Sequence, residues 1–378
     1  MKKPKFIVEN VAILSLTPLV ALIGVPWYGI VSGYTLFEWS MFFVFLMSTG
    51  LAITAGYHRL WSHRTYKAHA IIRVFYALFG AASLQNSILH WSADHRNHHR
   101  YVDDLTKDPY SAKRGFWFSH IGWILRAYPS GKHDIAELKD LQRDPIVRWQ
   151  HRWYIPLAIF MNLGLPLFLG YLHNRLWGTF FLAGILRMVL NHHFTFFINS
   201  LAHMWGSQSF STDNSARDNG FLAIFTYGEG YHNFHHRFQS DYRNGIAWYH
   251  YDPAKWLIRT LSWIGLADGL KTMSPFQIEK AKILVQREKA LRNLEKNNTL
   301  AHLQQSLEEK YHQAIQALEA WSAASQEWQQ KMRAKVEKGS KALADLHMKE
   351  RYQEMKLNFQ NHMVEWKRLC AQLSTVAA

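Results

Sequence analysis

Four long apolar stretches of about 20 residues each constrain the fold of this chain more than any other feature. They occupy residues 11–33, 37–56, 154–172 and 177–200. Each is close to the length that an α-helix needs to cross the hydrocarbon core of a bilayer. Because a backbone in lipid must satisfy its own hydrogen bonds, helices are the expected conformation. The sequence therefore predicts an all-α integral membrane protein with four transmembrane helices arranged as two hairpins.

The charges that flank these stretches predict their orientation. An even number of spans places both ends of the chain on one side of the membrane. Lys2, Lys3 and Lys5 precede the first stretch, and cytoplasmic flanks are typically rich in Lys and Arg. We therefore expect the ends and a helical cap formed by residues 57–153 and 201–275 to face the cytoplasm. The membrane is expected to be the inner membrane of a bacterium, or the endoplasmic reticulum of a eukaryote.

A fifth apolar stretch covers residues 69–92 and is interrupted by Arg73, Gln85, Asn86 and His90. A further crossing here would make the number of spans odd and would separate the polar segments on opposite sides of the membrane. We therefore expect this stretch to lie at the membrane interface or to form the wall of a buried cavity.

Nine of the 22 histidines form four short clusters with regular spacing. The clusters read H-R-L-W-S-H, H-R-N-H-H, N-S-L-A-H and H-N-F-H-H, and their histidines are His58, His63, His95, His98, His99, His203, His232, His235 and His236. The spacing H-x-x-H-H puts three imidazoles on one helical face, from which they can meet at a common point, and Asn199 shares a face with His203 in the same way. His58 and His63 would diverge on a regular α-helix, so we expect the helix to end or distort around Trp61 and Ser62.

The clustered imidazoles indicate a metal site. Neutral imidazole suits iron, zinc, copper and nickel, and nine ligands exceed what one ion can use, so we expect two metal ions. The only cysteine, Cys370, lies outside the clusters, which excludes cysteine-ligated zinc and iron–sulfur clusters there. A pair of nitrogen-ligated metals beside a membrane suggests oxygen activation by two irons, with a long acyl chain as the substrate. His192 and His193 fit no ligand spacing and are expected to pack or to line a cavity.

The C-terminal quarter of the chain has a different character. Residues 276–378 contain no proline and one glycine, which predicts a helical appendage, amphipathic or coiled-coil-like, beside a core of residues 1–275. Apolar residues recur in it at spacings of three, four and seven, namely Leu300, Leu303, Leu307, Ala314, Leu318, Trp321, Trp328 and Met332. Its remaining histidines match no ligand pattern and are expected on a solvated face: His302, His312, His347 and His362.

Residues 10–272 resemble the membrane-bound fatty acyl desaturases, in the branch of the acyl-CoA Δ9 (stearoyl-CoA) desaturases. The motifs that carry the resemblance are H-R-L-W-S-H at 58–63, W-S-A-D-H-R-N-H-H at 91–99, N-S-L-A-H at 199–203 and G-E-G-Y-H-N-F-H-H at 228–236. The resemblance implies that the nine histidines bind two irons, that Asn199 completes one coordination shell through a water, and that O₂ is a co-substrate.

The resemblance also implies roles for residues that the spacing alone does not single out. Gln85, Trp91 and Thr195 would lie at the bend of an acyl tunnel, where dehydrogenation takes place, and Asn86 and Asp94 would lie near the thioester or head group. Without the resemblance, Trp91 would be read as ordinary aromatic packing, and Thr195 as a side chain bonded to a helix carbonyl.

The predicted function is therefore O₂-dependent introduction of a cis double bond, at Δ9, into a saturated long-chain acyl thioester. Ala93 stands where members that use acyl-CoA often carry a basic residue, so CoA, acyl-carrier protein and glycerolipid all stay open as the acyl carrier. The appendage has no cytochrome b5 or ferredoxin signature. We therefore expect a separate electron donor of one of these types.

Two other functions are compatible with parts of this pattern. A di-iron alkane or fatty acyl hydroxylase would need the same metals. A membrane metal transporter or sensor would distribute ionisable residues along its spans, whereas these histidines gather at one end. The net charge of +15 suits a surface beside anionic lipid, and no nucleic-acid partner is expected because no recognition motif accompanies the charge.

Overall fold

The computed structural model describes residues 4–131, 137–296, 301–338 and 344–375, so Lys2, Lys3 and Leu300 lie outside the described residues. The described chain is almost wholly helical, and it divides into two compact units. The first contains residues 1–207 and 213–272, and the second contains residues 208–212 and 273–378.

Four helices of the first unit are long and apolar enough to cross a membrane, which confirms the predicted number and approximate position of the spans. We call them spans 1 to 4; they are Val8–Ser32, Leu36–Ser62, Tyr154–Leu172 and Leu176–His203. Spans 2 and 4 are longer than predicted. As a result, His58 and His203 lie within the last turns of continuous helices and not beyond their ends.

Span 2 changes its winding before it ends. It is α-helical over Leu36–Leu51 and π-helical over Ala52–Ser62. The backbone N–H of His63 donates to the His58 carbonyl over 3.0 Å, the i to i+5 bond that defines π-helical winding. Residues five apart therefore share a face here. The predicted distortion around Trp61 and Ser62 is confirmed, although it begins ten residues earlier. Spans 3 and 4 also contain π-helical stretches, at Phe160–Gly164 and Phe180–Leu186.

The segment between spans 2 and 3 is built from short helices. The apolar stretch predicted to stay out of the membrane forms the helix Ala70–Ala82, which is too short to cross, and a turn at residues 83–87. The helix Ile88–Tyr101 follows and carries the second histidine cluster. The further helices that the structure describes in this segment are Ala112–Arg114, Phe118–Gly122, Trp123–Leu125, Pro129–Gly131, Lys139–Arg143 and Pro145–Arg152.

The segment after span 4 contains the helices Gly220–Phe225, His232–Arg237 and Pro253–Trp263. Strands Lys67–Ala68 and Ala267–Asp268 pair antiparallel, and this pairing joins the two polar segments. The main apolar core of this unit takes residues from span 2 and from both polar segments, including Tyr57, Tyr76, Ile88, Val147 and Ile258.

The second unit contains the helices Pro275–Lys296, Ala301–Lys338 and Ala344–Thr375. Each contributes to one apolar core, which includes Ile283, Leu307, Leu318, Phe359 and Trp366. Among its described residues, the apolar repeat of the sequence therefore marks the packed faces, except at Met332, which is exposed. Three of the four histidines expected on a solvated face are exposed, namely His302, His312 and His347. The fourth, His362, is half-buried.

Candidate metal centre and adjoining cavity

The nine clustered histidines come together in two groups at the ends of spans 2 and 4. Within each group, one nitrogen from every histidine lies within 4.8 Å of all the others. The five-histidine group consists of His58, His63, His95, His99 and His235. The four-histidine group consists of His98, His203, His232 and His236. Each group takes residues from distant parts of the chain, so neither could form without the tertiary fold.

The two H-x-x-H-H helices serve both groups. In the helix Ile88–Tyr101, His95 and His99 face the five-histidine group, while His98 faces the other. In the helix His232–Arg237, His235 belongs to the five-histidine group, and its neighbours in the motif belong to the four-histidine group. The sequence predicted that the three imidazoles of each motif could meet at one point. The structure instead divides each motif between two neighbouring points, because one helical turn spreads the three side chains.

The spacing of the nitrogens fits a metal ion. In the five-histidine group, the Nε2 atom of His235 lies 3.0 Å from the Nε2 atoms of His58 and His99. In the other group, Nε2 of His232 lies 3.1 Å from that of His203 and 3.0 Å from that of His236. Two nitrogens bound at right angles to one metal, at about 2.1 Å each, would be about 3.0 Å apart. The donor set therefore fits two nitrogen-ligated ions.

An orphaned nitrogen supports the same conclusion. His98 is buried, its Nδ1 lies 2.9 Å from Asp108 Oδ1, and its Nε2 has no hydrogen-bond partner. A proton on Nδ1 that is donated to the carboxylate leaves a lone pair on Nε2, which points into the four-histidine group. Burying such an acceptor without a partner is costly, and a bound cation would satisfy it.

Other ligand candidates are oriented in the same way. Nδ1 of His58 lies 3.0 Å from Glu229 Oε2. Nδ1 of His203 lies 2.8 Å from Ser215 Oγ, which in turn donates to Asp103 over 2.5 Å. Contacts of this kind fix the tautomer and ring orientation of a metal-binding imidazole. Sequence reasoning missed Glu229, Ser215 and Asp103, because the spacing of the histidines carries no signal for them.

Burial favours the uncharged form of six imidazoles outside the spans, because it lowers their pKa values. It lowers the pKa of His63, His95 and His99 well below the usual value, and the neighbouring imidazoles lower it further. The same causes lower the pKa of His232, His235 and His236. Neutral imidazole is the form that binds metal, so the site is ready to bind metal at neutral pH.

The metal centre opens onto a cavity of about 580 Å³. His58, His95, His98 and His232 reach its wall, which elsewhere is formed mainly by apolar side chains and includes residues of span 1. The same cavity is lined by every non-histidine residue that was expected at the site, namely Gln85, Asn86, Trp91, Asp94, Thr195 and Asn199.

Three of these residues form a hydrogen-bonded chain. Gln85 Nε2 donates to Thr195 Oγ1 over 2.9 Å, and Trp91 Nε1 donates to Gln85 Oε1 over 3.3 Å. Thr195 also donates to the Asn191 carbonyl over 3.0 Å, so the backbone bond expected of an ordinary helical threonine is present as well. Trp91 stacks on His95 with ring centroids 5.0 Å apart. The chain therefore connects the cavity wall to the five-histidine group.

Comparison with known proteins agrees with this geometry. Residues 37–263, more than half of the chain, match the family model for fatty acid desaturases. The chain is 47% identical over 249 residues to a probable acyl-CoA desaturase of Schizosaccharomyces pombe, covering 66% of this chain and 52% of that protein.

This chain belongs to the fatty acid desaturase family.

Two further relatives of this chain show how far the similarity extends along the sequence. Acyl-CoA desaturase 1 of Saccharomyces cerevisiae is 46% identical over 279 residues, covering 72% of this chain and 54% of that protein. Human stearoyl-CoA desaturase 5 is 37% identical over 283 residues, covering 72% of this chain and 83% of that protein. The chain thus spans about half the length of the two yeast relatives and most of the human one.

A buried ionic network behind His58 is a further feature of this desaturase-family site that sequence reasoning missed. Arg59 is buried, and its Nη2 lies 3.0 Å from both Glu229 and Asp252. Asn244 donates to Glu229 over 2.6 Å. Burial raises the pKa of Glu229, but His58 and Arg59 together lower it below the usual value. Arg59 directly follows His58, and Glu229 stands in the G-E-G-Y-H-N-F-H-H motif, but nothing in their spacing indicates that they pair.

The two histidines that fit no ligand spacing lie outside both groups, as expected. His192 is buried, lines the cavity, and has its Nε2 2.9 Å from the Ser83 carbonyl oxygen. His193 is half-buried, and its Nδ1 lies 3.1 Å from His120 Nε2.

Proposed function

We propose that this protein is an O₂-dependent desaturase that introduces a cis double bond, at Δ9, into a saturated long-chain acyl thioester. The observation that carries the proposal is the pair of histidine groups opening onto a single cavity with apolar walls. The family membership supports the same reaction class. The double-bond position rests on the resemblance to the stearoyl-CoA desaturases.

The proposed cofactor is a pair of iron ions. The five-histidine group would hold one and the four-histidine group the other, with Asn199 completing one of the two coordination shells through a water. Bound iron would supply the activation of O₂ that removal of hydrogen from an unactivated C–H bond requires. Overall, one CH₂–CH₂ unit, O₂, two electrons and two protons give CH=CH and two waters.

The protein's own residues would position the chain and exclude water. The apolar cavity wall would replace the hydration of the acyl chain, and the Gln85–Thr195 bond would mark the place where the chain bends. Trp91 lies between this bond and His95, so it would hold the reacting carbons beside the metals. Accurate placement of this kind is a large part of what an enzyme contributes to such a reaction.

We propose CoA as the acyl carrier. Asn86, Asp94 and Arg126 line the cavity that would hold the acyl chain. The other side of the helix Ile88–Tyr101 lines a separate polar groove. Arg96 and Arg100 of this helix and Lys107 of the following loop line that groove. Basic side chains suit the phosphates of CoA. Those of the groove would take the place of the basic residue that is missing at Ala93. The relatives named above as acyl-CoA desaturases support this choice.

The proposed partners are the lipid bilayer and a separate electron donor of the ferredoxin or cytochrome b5 type. The proposed orientation places the metal centre on the cytoplasmic side, because the histidines gather at the ends of spans 2 and 4 that the positive-inside rule assigns to the cytoplasm.

Expression in a host that lacks unsaturated fatty acids tests the proposal. Gas chromatography of the lipids should show a new cis-alkenoic acid. An alcohol as the only new product would contradict desaturation and favour a hydroxylase. Protein purified without tightly held iron would favour a metal transporter or sensor.

Two ligand substitutions sharpen the test. His98→Ala and His235→Ala should each abolish the alkene while leaving the protein in the membrane, because each removes a nitrogen from one group. His302→Ala is the matched control, since that histidine is exposed in the second unit and should keep full product. Undiminished turnover in either ligand variant would remove that residue from the proposed site.

A further inference from the structure

The turn at residues 83–87 is held by more contacts than its length explains. Leu84 and Asn86, on either side of Gln85, have φ angles of 53° and 77°. Asparagine tolerates this left-handed conformation, but a residue such as leucine rarely adopts it unless the surrounding structure holds it there. Side chains of spans 3 and 4 hold the residues on either side of Leu84 by hydrogen bonds. Of these side chains, the steps proposed above use only Thr195.

Arg187 of span 4 holds the start of this turn. Its side chain is fully buried, and its Nη1 donates to the Ala82 carbonyl over 2.7 Å. Its other donors reach Asn162 Oδ1 at 3.0 Å and the Ala183 carbonyl at 2.8 Å. A planar guanidinium can bind three oxygens in fixed directions. Charged residues within membrane spans are expensive to bury and usually functional.

His192 and Tyr154 hold the rest of the turn. His192 Nε2 lies 2.9 Å from the Ser83 carbonyl oxygen, and the N–H of Asn86 donates to the Tyr154 hydroxyl over 2.8 Å. Together with the bond from Gln85 to Thr195, residues 82, 83, 85 and 86 are each tied to a span. Gln85 therefore cannot shift along the cavity without breaking contacts to spans 3 and 4.

We propose that Arg187 and His192 are positioning residues that determine which carbons of the acyl chain are dehydrogenated, an inference that rests on the proposed desaturase function. The methylenes of a saturated chain are nearly equivalent chemically, so the site can distinguish them only by where the chain bends. The bend is set by Gln85 and Thr195. Arg187 and His192 fix the turn that carries Gln85, without themselves contacting the metal ligands.

The test compares three variants with the wild type, using stearoyl-CoA, an electron donor and mass spectrometry of the double-bond position. Arg187→Lys cannot make all three hydrogen bonds of the guanidinium, and His192→Leu loses the hydrogen bond to the Ser83 carbonyl. Both should lower kcat by about 10- to 100-fold, because the reacting carbons are misplaced, and should add products with the double bond moved by one carbon. KM should change little. His192→Gln retains a donor and should restore a single product.

Arg175→Lys is the matched control. Arg175 lies just before span 4, about 18 Å of helix rise from Arg187, and bonds to Glu38 and the Gly33 carbonyl. It should give a single product at a normal rate.

A second readout does not depend on turnover. Stearoyl-CoA should raise the melting temperature of iron-free Arg187→Lys and His192→Leu proteins as much as that of the wild type, which would show an intact cavity. A single unshifted product at normal kcat in both variants would overturn the proposal, as would loss of stearoyl-CoA binding together with activity. A wild type that makes no alkene would instead overturn the proposed function itself.

Discussion

At the scale of single residues, the candidate metal centre contains carboxylates that contact its histidines. Asp108 is fully buried, contacts His98 Nδ1, and accepts backbone hydrogen bonds from Asp103 and Tyr110. It therefore fixes both the loop and the direction in which the His98 lone pair points. A carboxylate of this kind is invisible in the H-x-x-H-H spacing.

Asp108→Asn should weaken iron binding by the four-histidine group about 10- to 100-fold, because the amide keeps an acceptor for the backbone but removes the charge that orients His98. The measurement is the iron content of the purified protein after dialysis against graded chelator. Asp104→Asn is the control. Its carboxylate bonds to Thr106 and Lys107 in the same loop, so iron content should stay normal. Equal iron retention in both variants would contradict the role given to Asp108.

At the scale of elements, the π-helical end of span 2 packs closely against the helix Ala70–Ala82. A methyl group added at Gly80 would overlap the ring of Tyr57, and one added at Gly56 would meet Tyr76. Tyr57 and Tyr76 are both fully buried, so neither ring has room to move. This packing keeps the helix that bears His58 at a fixed distance from the turn that bears Gln85.

Gly80→Ala should destabilise the protein by about 1–3 kcal/mol through overpacking. Thermal melting in detergent, followed by tryptophan fluorescence, measures the effect. Gly220→Ala is the matched control, because its new methyl group would lie 3.6 Å from the Tyr231 hydroxyl, an ordinary contact. A Gly80→Ala protein with the same melting temperature as the wild type would show that the two helices can move apart without loss of stability.

At the scale of the whole molecule, the protein has two units that each contain a core of their own. The family model ends at residue 263, before the second unit's helices begin. The core of the second unit is centred on Trp366, which is fully buried and whose Nε1 donates to Gln286 over 2.7 Å. The metal centre lies wholly in the first unit.

Trp366→Ala should therefore destabilise the second unit alone, by about 3–5 kcal/mol. Limited proteolysis should cut residues 273–378 faster than in the wild type, while iron content stays the same. Leu357→Ala, at a side chain that is 58% exposed, is the control and should leave the digestion pattern unchanged. Loss of iron in the Trp366 variant would mean that the two units unfold together.

Removing the metals should lower the melting temperature of the first unit, because ions that bind only the folded state stabilise it. Zinc, which imidazole also binds, should restore the melting temperature of the stripped protein but not the alkene. Calorimetry with and without each ion measures the first effect. A melting temperature that does not respond to metal would contradict the proposed centre.

The sequence by itself determined the number and approximate position of the four spans, the absence of a further crossing at residues 69–92, and which nine histidines form the clusters. Length, hydropathy and residue spacing are local properties that do not depend on the rest of the fold. Only the tertiary structure decided how each H-x-x-H-H motif divides between two groups, which carboxylates orient the imidazoles, and how the turn around Gln85 is held. These features join residues far apart in the chain, such as Arg187 and Ala82 or His58 and Glu229. Their contacts arise only when the packed helices bring distant side chains together, so no local pattern in the chain records them.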